Sequence, residues 1–351
     1  MSKNTNTLFW VITGAVIVIG LFLIINSFNN DSIKKATGKI SSVFQNAVKK
    51  SDEEELNNPT NIKKYYGHNE NWDSIEVEST TLFEFDEKTG TVLKYNGNSS
   101  KIVIPFQING VTVKKVGPIG RDLYTKNNEY QNCEDLLWRE QRYPDDERNI
   151  EERKKYEANG ILNGDECLKK IEIEEIILPN TIEELGDFSL YYTEKLESIK
   201  LPSNLKKIGN QAFFSSGLKE LDLSNLTNLE YIGDYAFNNS QIEGNLVIPD
   251  SLTYLGYYSF GGNNLKSVVL SKNLVELQDR TFFANTNLIS FTFRGTNTKV
   301  GSINIFYKHA NPTIYVPKGS LDWYKSFSYL TNYKIKEVWK WVIIQIHYFG
   351  L

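Results

Sequence analysis

The sequence predicts a solenoid of short parallel strands stacked with irregular return segments, about 23 residues per turn, behind one apolar segment long enough to cross a membrane. Two observations predict it. Four sequence marks recur in register over five turns, and Leu8–Ile25 (LFWVITGAVIVIGLFLII) carries no charge.

The first mark is an apolar triplet that often ends at proline: Ile176-Ile177-Leu178, Ile199-Lys200-Leu201, Leu221-Asp222-Leu223, Leu246-Val247-Ile248, Val268-Val269-Leu270 and Phe291-Thr292-Phe293. Their starts lie 23, 22, 25, 22 and 23 residues apart. The second reads Leu185-Gly186, Ile208-Gly209, Ile232-Gly233, Leu255-Gly256 and Leu277-Gln278. The third pairs a small residue with a large one: Ser189-Leu190, Ala212-Phe213, Ala236-Phe237, Ser259-Phe260 and Thr281-Phe282. The fourth is a leucine-type position ahead of the next triplet: Leu196, Leu218, Ile242, Leu265 and Leu288.

Each turn therefore supplies one short strand and one return. In a strand alternate side chains face opposite ways, so Leu221 and Leu223 point inward and Asp222 outward. Proline has no N–H to donate and stops the strand. The glycine is expected to sit in a turn at positive φ, and the phenylalanine fills the interior. No turn buries its apolar face alone; stacking makes the core continuous.

The outward column of the triplets is Ile177, Lys200, Asp222, Val247, Val269 and Thr292, a ladder with one strand spacing between members. Extended faces of this kind are the usual binding surface of solenoids, so these six are the candidate ligand contacts. Val247 and Val269 are expected to form a small exposed apolar spot.

Ahead of the repeats, an eighteen-residue helix over Leu8–Ile25 rises about 27 Å, enough for most of a hydrocarbon core. Trp10 and Phe28 mark its interfaces. The run ends in Ile24-Ile25-Asn26-Ser27-Phe28, a poor cleavage site, which favours an uncleaved anchor over a signal peptide. Lys34, Lys35 and Lys39 after the span place the carboxyl side in the cytoplasm by charge alone; the repeat domain argues for the outside. Residues 31–72 read as an amphipathic stalk (Ile33, Ala36, Ile40, Val43, Phe44, Ala47) that passes into a linker from Ser51.

The recurring residues resemble the BspA-type leucine-rich repeats of bacterial surfaces, with their proline-ended strand, Ile-Gly turn and Ala-Phe pair. The resemblance implies a leucine-rich-repeat solenoid displayed at the cell surface that binds matrix proteins or other cells. It covers about 171–324 and extends upstream to FEFDEKTGTVLKYNG (83–97) and KIVIPFQINGVTVKKVG (101–117), similar to the family's capping hairpin and first partial turn. Ile314–Leu321 with Tyr324 resembles its closing segment.

The expected organisation is an anchor over 1–30, stalk and linker over 31–72, a cap over 75–117, a charged insert over 118–170, the array with its closing cap over 171–338 and an apolar tail over 339–351. The insert departs from the family pattern and holds both cysteines. Cys133 and Cys167 form one disulfide if that region is extracellular, or stay as two thiols. A hydrophobic helix running into an amphipathic one is also similar to small pilin-type subunits, which leaves a structural envelope or filament role as the alternative.

The sequence offers no chemistry. The formal net charge of −4 excludes an electrostatic case for nucleic acid. His68, His309 and His347 are scattered, and there is no HExxH, phosphate loop or CxxC. Asparagine-rich turns lack the acidic spacing of calcium solenoids. No enzyme activity, cofactor or metal is expected. The expected partner is a protein or cell-surface ligand.

Overall fold

A computed structural model of the chain describes residues 56–66, 77, 79–142, 147–158, 162–163, 166–167, 171–301, 305–306 and 310–339, all within the compact unit Leu56–Leu351. The expected anchor over 1–30, most of the stalk and linker, and residues 340–351 of the tail lie outside the described residues. Among the described residues no helix is long and apolar enough to cross a membrane.

The repeats stack into two long parallel ladders. One runs along the leucine–glycine mark: Thr91–Tyr95, Lys115–Val116, Glu184–Leu185, Lys207–Ile208, Tyr231–Ile232 and Tyr254–Leu255 pair in that order, with Phe83–Asp86 added antiparallel as a hairpin. Glu276–Leu277 and Lys299–Val300 pair in the same way in the later coils. The other ladder uses the triplets: Glu243–Val247, Asn264–Val269, Ser290–Thr292, Thr313–Pro317 and Ile335–Val338. At the front, Lys101–Val103 pairs with Glu175–Ile177.

This differs from the sequence expectation in two ways. The triplets at 199–201 and 221–223 are not strands; single backbone bonds hold their coils in step, Lys219 N–H to Glu197 O and Glu243 N–H to Lys219 O. The leucine–glycine mark, read as a turn, is itself a strand ladder, and its glycines do not adopt positive φ. They are required because coils touch there. A Cβ on Gly233 would sit 2.6 Å from Asn210 Oδ1 and 2.7 Å from Asn210 N, and one on Gly256 would sit 2.5 Å from Gly233 C. Left-handed backbone instead falls two residues on, at Phe188, Gln211, Tyr235, Tyr258 and Arg280 (φ 53 to 59°). Gly233→Ala is therefore expected to lower stability by about 1–3 kcal/mol through overpacking. An unchanged denaturation midpoint would contradict the close approach.

A third set of bonds joins the returns. The amides of Gln211, Phe213 and Ser215 donate to Asp234, Ala236 and Asn238, and the pattern repeats from Tyr235, Phe237 and Asn239. These bonds align a buried stack: Phe213, Phe237, Phe260 and Phe282 lie face to face at 4.9, 5.0 and 5.6 Å between centroids. Leu196, Leu218, Ile242, Leu265 and Leu288 line the same core. So does a column absent from the sequence reading, Ile182, Leu205, Leu229, Leu252 and Leu274.

The insert is a helical hairpin. Helix α2 (Ile119–Arg142) starts where the first coil's return would begin, and Gly120 N–H donates to Ser189 O. Ile119 and Leu123 join the main core. Helix α3 (Glu147–Ala158) packs back on it through Arg139, which bonds Asn149 Oδ1 at 3.1 Å and Glu152 at 2.8 Å. Cys133 lies on α2 and Cys167 on the short strand Glu166–Cys167; their side chains fall outside the described residues. Helix α1 (Pro59–Tyr66) forms within the stretch read as linker, with proline at its first position. The Tyr66 hydroxyl donates to Ile104 O at 2.8 Å and is buried.

Candidate functional site: the strand face

The six outward residues of the triplets fall into three groups. Lys200 and Asp222 are exposed, and Asp222 Oδ1 accepts from the Ser224 amide and hydroxyl at 2.8 and 2.6 Å. Ile177 and Val247 are half-buried. Val269 and Thr292 are buried, at 3% and 0% exposure.

Three of these residues, Ile177, Val269 and Thr292, correct the expected open column. Ile177 packs against the small cluster of Leu56, Tyr66, Val77, Val103 and Phe106, where Tyr65 stacks on Phe106 at 4.1 Å. Helix α1 therefore closes the face at that end. Val269 and Thr292 lie on strands paired on both sides, in register with Val247 and Tyr315. No exposed pair of valines forms. The face open to solvent is reduced to the middle coils, around Lys200, Asp222 and Val247.

Beside Val247 the proline-ended strands leave a groove of about 500 Å³ lined by Ser224, Thr227, Pro249, Asp250, Asn273 and Arg294. Asp250 is its charged centre. Arg294 Nη2 lies 2.9 Å and Lys272 Nζ 3.1 Å from its carboxylate. Burial pushes this carboxyl up, but the Lys272 amide and ammonium and the Arg294 guanidinium outweigh it and hold it below its ordinary value. The groove thus offers a shallow apolar floor with a paired acid and bases at its rim, suited to a polypeptide surface rather than to bond chemistry. Among the described residues no group of His, Cys, Asp and Glu could hold a metal ion.

The outer side of the leucine–glycine ladder shows what the sequence reading missed. Its two columns alternate in charge: Lys114, Glu183, Lys206 and Glu230 in one, Lys115, Glu184 and Lys207 in the other. Lys206 reaches Glu183 at 2.6 Å; Lys115 and Lys207 reach Glu184 at 2.8 and 3.2 Å. The second column then changes to Tyr231 and Tyr254, stacked at 4.6 Å. The residue before each Leu-Gly or Ile-Gly was the available signal, and a turn assignment hid it.

These pairs set a pH response. The Lys206 ammonium holds the Glu183 carboxyl low against some desolvation, and at Glu184 burial is outweighed by Lys115 and Lys207. With native carboxyls depressed, the unfolded chain binds more protons in acid. Their stabilisation is present above the unfolded carboxyl value, about pH 4.3, and is lost as pH falls through the native values. The thermal midpoint is expected to be flat from about pH 7 to 5 and to drop below about pH 4, with a shallower drop in Glu184→Gln. A midpoint that rises on acidification would refute this.

The family comparison agrees with the repeat geometry. The BspA type leucine rich repeat region matches in six copies, over residues 163–288 and 224–334. Among curated proteins none matches. Among solved structures, the leucine-rich repeat protein of T. pallidum is 17% identical, covering 74% of this chain and 98% of its own, with a TM-score of 0.43. A leucine-rich cell surface protein of Faecalibacterium prausnitzii is 15% identical over 67% of this chain and 68% of its own, at 0.39. The pneumococcal vaccine antigen PcpA is 20% identical over 46% and 40%, at 0.35. Six matched copies lie on the coils whose strands, glycines and phenylalanines stack as described, and no catalytic family is indicated. The array of this chain belongs to the BspA-type leucine-rich repeat family.

Proposed function

We propose that the chain is a membrane-anchored surface protein that binds another protein through the middle of its strand face, with no catalysis of its own. The observation that carries the reading is the open stretch around Lys200, Asp222 and Val247 and the groove beside it, bounded by helix α1 at one end and by buried positions at the other. Repeat solenoids bind through such extended faces. The anchor rests on the uncharged run Leu8–Ile25, and display outside the cell on the family of the repeats.

The test is capture of extracellular-matrix proteins and cell-surface extracts by the full chain and by Val247→Lys. A lysine on the groove floor should weaken a strand-face complex at least about tenfold, since burying its ammonium is costly. Equal binding by both proteins would remove the strand face as the site. Protease applied to intact cells should remove the repeats; their survival until lysis would reverse the topology.

A further inference from the structure

Away from the strand face of the triplets, two neighbouring coils carry five tyrosines, Tyr231 and Tyr254 on the leucine–glycine ladder and Tyr235, Tyr257 and Tyr258 just after it. Tyr231 and Tyr254 stack at 4.6 Å. Tyr235 stacks on Tyr258 and meets Tyr257 edge-on, both at 5.4 Å, and Tyr257 meets Tyr258 at 5.1 Å. All five are half-buried, so each keeps part of its ring or hydroxyl in solvent.

The electrostatics of this patch point one way. Glu230 and Asp234 lie on the first of these coils, and Glu276 and Asp279 stand at the positions of Tyr254 and Tyr257 on the coil that follows. The Tyr254 hydroxyl approaches Asp234 Oδ1 at 3.5 Å, and that oxygen also accepts the Tyr257 amide at 2.9 Å. The chain's own cations show what the rings accept. Lys207 Nζ sits 5.5 Å over Tyr231 at one margin. At the other, Arg280 lies 5.8 Å over Tyr258 and donates to the Tyr257 hydroxyl at 3.2 Å. Lys207 also answers Glu184, and Arg280 lies 3.7 Å from Asp279. Among the described residues Glu230, Asp234 and Glu276 form no ion pair within 4 Å, although Lys299 is in register with Glu276. Tyrosine and arginine are also enriched at protein-binding hot spots.

We propose that this tyrosine face is a second docking surface, one that takes a basic segment of a partner protein by seating arginine or lysine side chains against the ring faces and hydroxyls beside the carboxylates. The reading rests on the array being a binding module, and it adds a site that the strand face does not contain.

The experiment measures binding of fluorescent nona-arginine, with nona-glutamate as the control, to the full chain in detergent. Tyr235→Ala combined with Tyr258→Ala leaves the net charge unchanged and should weaken nona-arginine binding about tenfold. Tyr235→Phe with Tyr258→Phe keeps the rings and should bind within about twofold. Asp234→Asn with Glu276→Gln guards against misfolding, because Asn210 already fills the place of Asp234 one coil earlier; it too should weaken binding. Val247→Lys should change nothing here. Equal binding by the alanine, asparagine–glutamine and parent proteins would overturn the tyrosine face, as would equal binding of nona-glutamate. A loss confined to Val247→Lys would overturn it while leaving the strand-face reading standing.

Discussion

Phe237→Ala is expected to lower the unfolding free energy by about 3–5 kcal/mol, the cost of removing a buried aromatic side chain and leaving a cavity. Phe237 is fully buried and lies between Phe213 at 4.9 Å and Phe260 at 5.0 Å, with planes within 7° and 11° of parallel. Its truncation removes both stacking contacts at once. Relaxation is limited, because the amides of Phe213, Phe237 and Phe260 are each bonded to the next coil and hold the rings at a fixed spacing. Coil stability in a solenoid is shared only with nearest neighbours, so a break at this central position should also broaden the transition. Urea unfolding followed by far-ultraviolet circular dichroism measures both. A midpoint equal to that of the parent protein would show that the stack contributes nothing.

Asn263→Ala should cost about 2–5 kcal/mol although it removes little apolar surface, because it orphans buried backbone groups. The Asn263 amide donates to Phe237 O at 2.8 Å and Phe260 O at 3.0 Å, and its oxygen accepts the Ile242 amide at 2.9 Å. The side chain is 3% exposed. Asn285 repeats the arrangement one coil later, donating to Phe260 and Phe282 and accepting from Leu265. Phe260 O therefore keeps a second donor in the mutant, while Phe237 O and Ile242 N–H lose theirs. Asn263→Asp should be at least as damaging, since a carboxylate would face two carbonyl oxygens. The same denaturation measurement applies, and a change of less than about 0.5 kcal/mol in either variant would refute the bonding scheme.

The two residues differ in how far they were legible. Phe237 follows Ala236 in a mark that recurs with near-constant identity, so its burial could be inferred from period alone. Asn263 occupies a column that reads Thr193, Ser216, Ser240, Asn263 and Asn285. Thr193, Ser240, Asn263 and Asn285 each reach a backbone carbonyl, two through a hydroxyl and two through an amide, and no periodicity of side-chain type reveals that. The glycines lie between these cases. Their recurrence was visible, but positive φ was the wrong reason for them; the cause is contact with the coil before, which exists only once coils are stacked.

The candidate binding residues were the least legible. Lys200, Asp222 and Val247 are on the open part of the face, but Ile177 is partly covered by α1, a helix from a stretch whose composition reads as linker. Val269 and Thr292 are buried among paired strands. Alternation along a strand assigns each side chain to a face and says nothing of what else packs on that face. The five tyrosines were missed for the opposite reason: they come from separate turns and become one surface only through the register of neighbouring coils.

The repeat period, the stacking of coils and the inward leucines and phenylalanines were determined by the sequence alone, because a turn that cannot bury its apolar side must repeat to make a core. The tertiary structure decided which marks pair as strands, why glycine is required, and which outward columns meet solvent. Those properties depend on distances between residues some 23 positions apart, and such distances exist only after one coil has been laid on another.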